Sequence, residues 1–317
     1  MKLELNHRAE TALEWIENSA DELRIDAGKV RGGGWLLDFG VKTPGGLQAG
    51  RELARVCLAD LADVSLTTLP LFDGVWPAVQ VATDHPVPAC LFSQYAGWEI
   101  KTGDFFAMGS GPMRAAAARE ELFEKLGYRE RAKPVVGVLE TGELPNADVF
   151  RFIAERCRVS RKEVILLVAP VTSVAGNVQV VARSVETAMH KLLELGFDVK
   201  RIRSGHGVAP LPPVGKNTLD GIGRTNDAIL YGATVTLWAT GDDDSLREVG
   251  PKVPSESSSV YGQPFRKIFE DAGGDFYKID PHLFSPALVI LHNLDTGSVF
   301  RFGRTNEGVL RESFGIA

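Results

Sequence analysis

Residues 164–197 read VILLVAPVTSVAGNVQVVARSVETAMHKLLELGF, and this stretch decides the fold class. It begins as an apolar run of strand length, breaks at Pro170 and Gly176, and resumes with helical periodicity. Asn177 suits the N-cap of that helix, because its side-chain oxygen can accept from the free amides of the first turn. A strand that leads directly into a helix predicts an α/β unit, and such turns often line a ligand crevice.

The predicted helix has two faces of different chemistry. The apolar face carries Val178, Val181, Val185, Met189 and Leu192. The opposite face carries Gln179, Arg183, Glu186 and His190. Arg183 and Glu186 stand three positions apart, so a cation and a carboxylate share one stripe. Spacing alone leaves two interpretations open: a catalytic pair, or a solvated ion pair of the kind common on exposed helices.

Hairpin signals stand towards both ends of the chain. Residues 23–26 and 35–39 flank a glycine-rich turn, and residues 288–292 and 298–302 flank Asp295-Thr296-Gly297. Helical patterns alternate with strand patterns between them. Because hairpins require antiparallel pairs, we expect a mixed α/β (α+β) fold with mixed sheets flanked by helices, and not a purely parallel sheet.

Composition limits the possible classes of protein. The 317 residues are 44% hydrophobic, enough for two domains, and we place the boundary so that residues 1–132 and residues 133–317 form an N-terminal and a C-terminal α/β domain. The net charge of −6 argues against a nucleic-acid partner. The three cysteines lack CxxC spacing, so neither a disulfide framework nor a zinc site is expected.

The chain start and the known motifs narrow the function further. Residues 1–17 lack the apolar segment of a signal peptide, and the longest apolar run is too short to cross a bilayer, so we expect a cytoplasmic protein without a membrane partner. The sequence has no GxxxxGK[ST], no GxGxxG after a strand, no HExxH and no GxSxG. We therefore expect no metal and no cofactor, and catalysis by acid–base and electrostatic groups.

Four segments are polar or glycine-rich within apolar surroundings. They are residues 103–114 (GDFFAMGSGPMR), 169–177 (APVTSVAGN), 223–227 (GRTND) and 274–280 (GDFYKID). The glycines beside Ser110, at an expected helix start, would expose backbone amides to an anion, although a tight turn has the same composition. Thr225 or Asn226 could equally cap a helix, and Lys278 could be solvated.

Together these segments resemble the methenyltetrahydromethanopterin cyclohydrolase family. The resemblance covers nearly the whole chain and depends on the order and spacing of many motifs. They include PAVQVATDHP at 77–86, QYAGW at 94–98, DFFAMGSGP at 104–112, LETGELP at 139–145, GRTNDAILYG at 223–232, YGQPFRKIFE at 261–270 and DFYKID at 275–280.

The resemblance implies a cytoplasmic hydrolase of one-carbon metabolism with a pterin substrate. It also implies two mixed α/β domains with a pocket between them, a homotrimer, and no metal or nucleotide. The catalytic residues of the family map onto Arg183 and Glu186. The substrate-binding positions that we assign on this basis are Ser110, Gly111, Arg114, Thr172, Ser173, Thr225, Asn226, Asp227 and Lys278. Ser110 and Arg114 are assigned to the anionic tail of the substrate, and His206 receives no role.

Two alternatives belong to other functional classes. A one-carbon transferase or oxidoreductase on the same pterin carrier would need a second substrate or a nicotinamide, and the dinucleotide fingerprint is missing. A non-catalytic pterin-binding protein would leave the methenyl absorbance unchanged. The presence of both Arg183 and Glu186 favours the cyclohydrolase over the binding protein.

Overall fold

The structure is a computed structural model that describes residues 3–316. Its internal contacts divide the chain into two units. Unit 1 comprises the residues up to Ala62 together with Pro88–Gln179, and unit 2 comprises Asp63–Val87 together with the residues from Val180 onward. Within residues 3–316, no helix combines the length and the apolar character that crossing a membrane requires.

The α-helices are numbered in chain order. They are α1 (Leu5–Asn18), α2 (Ala20–Leu23), α3 (Leu47–Cys57), α4 (Met113–Ala117), α5 (Glu121–Leu126), α6 (Ala147–Cys157), α7 (Val174–Val181), α8 (Ser184–Glu194), α9 (Thr218–Gly232), α10 (Asp243–Val249), α11 (Phe265–Asp271) and α12 (Glu307–Phe314). Short 3-10 turns and one π-helical segment, Val87–Gln94, connect other elements.

The strands follow the same numbering from the N-terminus. They are β1 (Asp26–Lys29), β2 (Trp35–Asp38), β3 (Asp63–Leu71), β4 (Gly74–Thr83), β5 (Trp98–Thr102), β6 (Phe105–Ser110), β7 (Val135–Glu140), β8 (Val164–Ala169), β9 (Ile202–Pro210), β10 (Thr234–Ala239), β11 (Leu288–Asn293) and β12 (Val299–Gly303).

Unit 1 is built on a six-stranded sheet in the order β1-β2-β8-β7-β6-β5. The apolar run that forms β8 lies between β2 and β7 and is parallel to both, whereas the β1–β2 and β5–β6 pairs are antiparallel hairpins. A run of Val, Ile and Leu suits this central position because both faces of the strand are covered. The boundary predicted between residues 132 and 133 falls inside unit 1, because β7 pairs with both β6 and β8.

The core of unit 1 lies on both faces of this sheet. Val135 and Leu166 belong to a hydrophobic cluster with residues of α6, and Val136 and Leu167 belong to a second cluster with residues of α1 and α3. Neighbouring residues of a strand point to opposite faces, so successive apolar residues of β7 and β8 serve both clusters. Unit 1 is therefore a sheet with helices on both sides.

Unit 2 contains the second six-stranded sheet, in the order β12-β11-β10-β9-β4-β3. The β10–β11 pair is parallel, and the other four pairs are antiparallel. Helices α8 and α9 contact β9, and α11 and α12 contact α9. The prediction of mixed sheets flanked by helices is confirmed for both units, as is the predicted hairpin β11–β12. A hairpin also forms near the N-terminus, but the strand predicted at residues 23–26 lies at Asp26–Lys29 instead, because α2 extends to Leu23 and ends at Arg24 in the left-handed conformation.

Several local predictions were wrong. Asn177 is not an N-cap but lies inside α7, whose first turn is capped by Ser173: its Oγ accepts from the amide of Gly176 at 3.0 Å. The predicted single helix is two helices, because the helical pattern is interrupted at Ala182 and Arg183. Residues 109–111 do not open a helix either, since β6 continues to Ser110.

Candidate functional site

The candidate catalytic pair lies where the chain passes from α7 to α8. Arg183 occupies the N-cap position of α8, and Glu186 lies in its first turn. A carboxylate is stabilised there by the partial positive charge of the helix N-terminus. The Nη1 atom of Arg183 is 3.9 Å from Oε2 of Glu186, within ion-pair distance but longer than a hydrogen bond.

Burial separates the two interpretations that the spacing left open. Arg183 is 7% exposed and Glu186 is 4% exposed. The interpretation of a solvated surface pair is therefore wrong. Removing two charges from water carries a desolvation cost, which a protein accepts where the charges are paired or functional.

The first turn of α8 is held close to strand β9 by two glycines. A Cβ atom added at Gly205 would lie 2.7 Å from Cγ1 of Val185, and one added at Gly207 would overlap Oγ of Ser184. Such close approach permits only a hydrogen at these Cα atoms. The sequence Gly205-His206-Gly207 could have predicted this close approach, because two glycines two positions apart on a strand lie on the same face.

Gly207→Ala is expected to displace the first turn of α8 and with it Glu186. The added methyl group overlaps Ser184, so we expect a loss of about 1–3 kcal/mol in unfolding free energy together with a lower kcat. Gly142→Ala is the control, because nothing lies within 4 Å of a Cβ at Gly142. Urea unfolding and steady-state kinetics check this, and a Gly207→Ala protein that behaves like the control would show that the glycine does not position Glu186.

Lys191 is a buried cation of α8 that the sequence pattern did not reveal. It is 1% exposed, and its Nζ donates to Oγ of Ser257 at 3.2 Å and to the carbonyl of His282 at 2.5 Å. Burial lowers the pKa of Lys191 to about 8, against the opposing effect of the Asp280 carboxylate. Lys191 therefore ties the far end of α8 to two 3-10 turns, Ser255–Ser257 and Pro281–Leu283.

His190, the last member of the predicted polar stripe, has a local partner. Its Nε2 is 3.7 Å from Oε1 of Glu194, one turn further along α8. The imidazole is 18% exposed and the carboxylate 46% exposed. This is a surface-type pair, and it gives no reason to add His190 to the catalytic residues.

The three neighbouring residues Thr225, Asn226 and Asp227 lie inside α9. Thr225 Oγ1 donates to the carbonyl of Gly221 at 2.8 Å, and Asn226 Nδ2 donates to that of Ile222 at 2.9 Å. The N-cap of α9 is Asn217 instead, so the alternative that Thr225 or Asn226 caps a helix is wrong. Their hydroxyl and amide donors are thus used within the helix.

Asp227 is a fully buried carboxylate. Its Oδ1 accepts from the amide of Phe265 at 2.8 Å, which connects α9 to the start of α11. Burial raises the pKa of Asp227 to about 7, although the hydrogen bonds from Ser313 and Phe265 act in the opposite direction. A carboxyl group of this kind is neutral over much of the acidic range.

The titration of Asp227 predicts a pH-dependent effect of Asp227→Asn. A pKa raised on folding means that the native state keeps a proton that the unfolded chain releases, so this contribution to stability is full below about pH 4 and is lost as the pH rises through about 7. Asp227→Asn should therefore gain stability relative to wild type between pH 4 and pH 8, on the order of 1–4 kcal/mol.

Unfolding midpoints at the two pH values measure this difference. Asp244→Asn is the control, because the Asp244 side chain is 96% exposed. An Asp227→Asn difference that stays flat with pH, like that of the control, would contradict a carboxyl group that titrates with folding.

Lys278 lies in the 3-10 turn Phe276–Lys278. Its side chain is 68% exposed, and its Nζ is 3.8 Å from Oδ2 of Asp275. The structure therefore favours the solvated interpretation of Lys278.

In unit 1, the predicted anion site at Ser110 and Gly111 has few free donors. Gly111 has a φ of +86°, and its amide donates to the carbonyl of Ser93 at 2.8 Å. Ser110 is 2% exposed, with Oγ 3.3 Å from Sγ of Cys57 and 3.3 Å from the carbonyl of Val138. The alternative of a tight turn fits these contacts better than an exposed nest of amides does.

Arg114 is fully buried, and its Nε and Nη1 donors are engaged within unit 1, whereas Nη2 has no hydrogen-bond partner among the described residues. Its Nε donates to Oε1 of Glu120 at 2.6 Å, and its Nη1 donates to the carbonyls of Leu91 and Ser93 at 2.9 and 3.3 Å. The guanidinium carbon also lies 5.0 Å from the ring centroid of Tyr95. The structure therefore favours a structural role for Arg114 over the predicted contact with an anionic tail.

Thr172 and Ser173 form the turn between β8 and α7. Thr172 is half-buried and belongs to the turn itself. Ser173 is 8% exposed, and its Oγ donates to the carbonyl of Pro170 at 2.8 Å while capping α7. Within the described part of the chain, no three His, Cys, Asp or Glu side chains lie close enough to hold a metal ion.

Comparisons with known proteins point to one family. The family model described as "Cyclohydrolase (MCH)" matches residues 4–314. A methenyltetrahydromethanopterin cyclohydrolase of Rhodopirellula baltica is 47% identical over 99% of this chain and 95% of its own length. Proteins of the same name from Methanococcoides burtonii and Xanthobacter autotrophicus are 42% and 43% identical, each over 96% of this chain and over 94% and 90% of their own lengths.

Proposed function

The chain belongs to the methenyltetrahydromethanopterin cyclohydrolase family, and from this premise we propose that Glu186 is the general base of its reaction and that Arg183 positions and charges that carboxylate. The family makes the chain a hydrolase of one-carbon metabolism that acts on a cyclic amidine C–N bond. The observation that carries the residue assignment is the burial of both members of an ion pair at the N-terminus of α8.

The proposed substrate, 5,10-methenyltetrahydromethanopterin, determines what the protein must supply. Its methenyl carbon bridges N5 and N10 and carries a delocalised positive charge, so it is electrophilic before it meets the enzyme. Water adds to this carbon and one water proton leaves, which gives a neutral tetrahedral adduct. The C–N10 bond then breaks as N10 receives a proton and the hydroxyl group of the adduct loses its proton, and the one-carbon unit remains on N5 as a formyl group. The balanced reaction consumes one water and releases one proton.

Glu186 has the chemistry that the first step needs. A carboxylate accepts the proton of the attacking water, and its negative charge stabilises the cationic carbon as the water approaches. The carboxylic acid so formed can return a proton for the departure of N10. Its location in the first turn of α8 favours the ionised form through the helix dipole.

Arg183 acts on Glu186 and not on the reacting carbon. With its Nη1 3.9 Å from Oε2 of Glu186, the guanidinium attracts the negative charge of the carboxylate. A nearby cation favours the ionised form of an acid, which counters the effect of burial. Its positive charge would oppose a cationic substrate in direct contact, so we assign it to the side of Glu186 away from the methenyl carbon.

We further propose that the reaction needs no metal and no cofactor, that the enzyme is a homotrimer, and that it works in the cytoplasm. The absence of a metal requirement rests on the substrate, since a carbon that is already cationic needs no Lewis acid. The homotrimer rests on the family resemblance, and sedimentation equilibrium tests it. The proposal of a cytoplasmic location is supported by Cys57, Cys90 and Cys157, which are all buried and in no disulfide, as is usual in a reducing compartment.

The direct test of the function is the loss of methenyl absorbance. Purified enzyme is mixed with 5,10-methenyltetrahydromethanopterin in buffer containing a chelator and no nucleotide. We expect catalytic bleaching whose rate is proportional to enzyme concentration, with the 5-formyl compound as product. A requirement for an added metal or for a second one-carbon acceptor would contradict the proposal, and binding without bleaching would indicate a carrier protein.

A further inference from the structure

A pocket in unit 1 that plays no part in the proposed reaction is lined by cations. Its volume is about 450 Å³. We call it the basic pocket, and the residues that line it are Ala116, Arg129, Glu130, Arg131, Ala132, Lys133, Cys157 and Arg158. Four cationic side chains and one carboxylate give a local charge of about +3 in a chain whose net charge is −6. The positive potential is therefore a local feature that the overall composition conceals.

The guanidinium groups of the basic pocket are not neutralised by carboxylates of the described residues. Within residues 3–316, no carboxylate lies within salt-bridge distance of Arg129, Arg131 or Arg158. Lys133 has a partner, Glu163, at 3.6 Å, but the lysine side chain is 68% exposed and such a pair is weak. Three guanidinium groups thus keep their donors available to a ligand.

The single carboxylate of the basic pocket is engaged elsewhere. Oε2 of Glu130 accepts from Nδ2 of Asn6 at 3.0 Å, and Oε1 accepts from the Asn6 amide at 3.2 Å. Burial also raises the pKa of Glu130, against the effect of these hydrogen bonds. Glu130 consequently repels an incoming anion less than an exposed carboxylate would.

Arg158 occupies a backbone conformation that favours glycine or asparagine. It ends α6 with φ at +60°, the left-handed conformation in which glycine or asparagine is usual. An arginine at this position adds a cationic side chain to the lining of the pocket at the expense of local backbone strain. Ala116, Ala132 and the thiol of Cys157 supply an apolar wall beside the cations.

A larger pocket of unit 1 provides a contrast. Its volume is about 600 Å³, and its charged lining residues are Asp104, Glu143, Asp148, Arg151, Glu155 and Arg156. Acidic side chains outnumber basic ones there, so it is unsuited to an anion. Of these two pockets, only the basic pocket combines excess cations with guanidinium groups that lack carboxylate partners.

We propose that the basic pocket binds a phosphate group, either as inorganic phosphate or as a phosphate ester. Guanidinium groups match the oxygens of phosphate in geometry and form charge-assisted hydrogen bonds with them. The apolar wall provides room for the carbon side of an ester. This proposal concerns unit 1 alone and does not depend on the role of Glu186.

The test is phosphate binding to the full-length protein, measured by equilibrium dialysis with radiolabelled inorganic phosphate at low ionic strength. We expect saturable binding at one site per chain. Arg129→Gln/Arg131→Gln should weaken binding by about tenfold or more, since two charge-assisted contacts are lost. Arg158→Gly should also weaken it, with an unchanged or higher melting temperature because the left-handed backbone suits glycine.

Arg304→Gln is the matched control, because Arg304 is 82% exposed, lies in unit 2 and does not line the basic pocket. It should bind phosphate like wild type. Displacement of phosphate by the phosphate-bearing pterin would identify the substrate tail as the natural source, and simultaneous binding would identify a separate phosphate; either result supports the pocket. No saturable binding, or equal binding by all four proteins, overturns the proposal.

Discussion

Glu186→Gln is expected to lower kcat by about 10²–10⁴-fold, the range that a general base contributes. The amide keeps the shape of the side chain but can neither take a proton from water nor carry a charge beside the cationic carbon. The variant removes an interaction that forms only in the transition state, so kcat should fall more than KM rises. Steady-state loss of the methenyl absorbance measures both parameters.

Stability has to be separated from catalysis in this variant. Glu186 is 4% exposed, and the amide removes the negative charge that faces Arg183, so we expect a loss of about 1–3 kcal/mol in unfolding free energy. Circular dichroism at the assay temperature shows whether the variant remains folded. Glu194→Gln, in the same helix but with a side chain that is 46% exposed, should keep wild-type kcat. Equal activity of the two variants would contradict the assignment.

Arg114→Met is expected to have the largest effect on stability. Methionine fills much of the same volume, but it leaves the Glu120 carboxylate without a counter-ion and the carbonyls of Leu91 and Ser93 without the donors that Arg114 supplies. Breaking a buried ion pair from one side costs about 3–5 kcal/mol. The Glu120 side chain is 17% exposed, so the value should lie towards the lower end.

Lys125→Met is the matched control for Arg114→Met. Lys125 forms an ion pair of 3.3 Å with Glu121, and both side chains are more than half exposed. Such a pair contributes about 0–1 kcal/mol. Urea unfolding of both variants tests the difference. If instead Arg114→Met unfolds like the control and raises KM, Arg114 contacts substrate as the sequence predicted.

The sequence was sufficient for features that depend on local patterns. The apolar run 164–169 forms the predicted strand β8, and the turn of β11–β12 forms the predicted hairpin. Spacing also placed Arg183 and Glu186 side by side, because residues three apart on a helix are neighbours. These features need no information about distant parts of the chain.

Burial and helix ends could not be read from the same patterns. The solvent exposure of Glu186 depends on how the chain packs around α8. This packing includes the close approach of α8 to Gly205 and Gly207, some twenty positions away. The sequence pattern suggested that Arg114 binds an anion, because no sequence motif shows that its partners are Glu120, Leu91 and Ser93. The helix break at Ala182 and Arg183 could not be predicted, because the sequence there contains no glycine or proline.

The central claim is that Arg183 and Glu186 act as one catalytic unit, and a double-mutant cycle on kcat tests it most directly. The four proteins are wild type, Arg183→Ala, Glu186→Gln and the double variant, all assayed by loss of the methenyl absorbance. If Arg183 acts through Glu186, the double variant should be about as slow as the slower single variant, because the arginine has nothing left to position. Losses that multiply would show that the two side chains act independently, and that result would contradict a single catalytic unit.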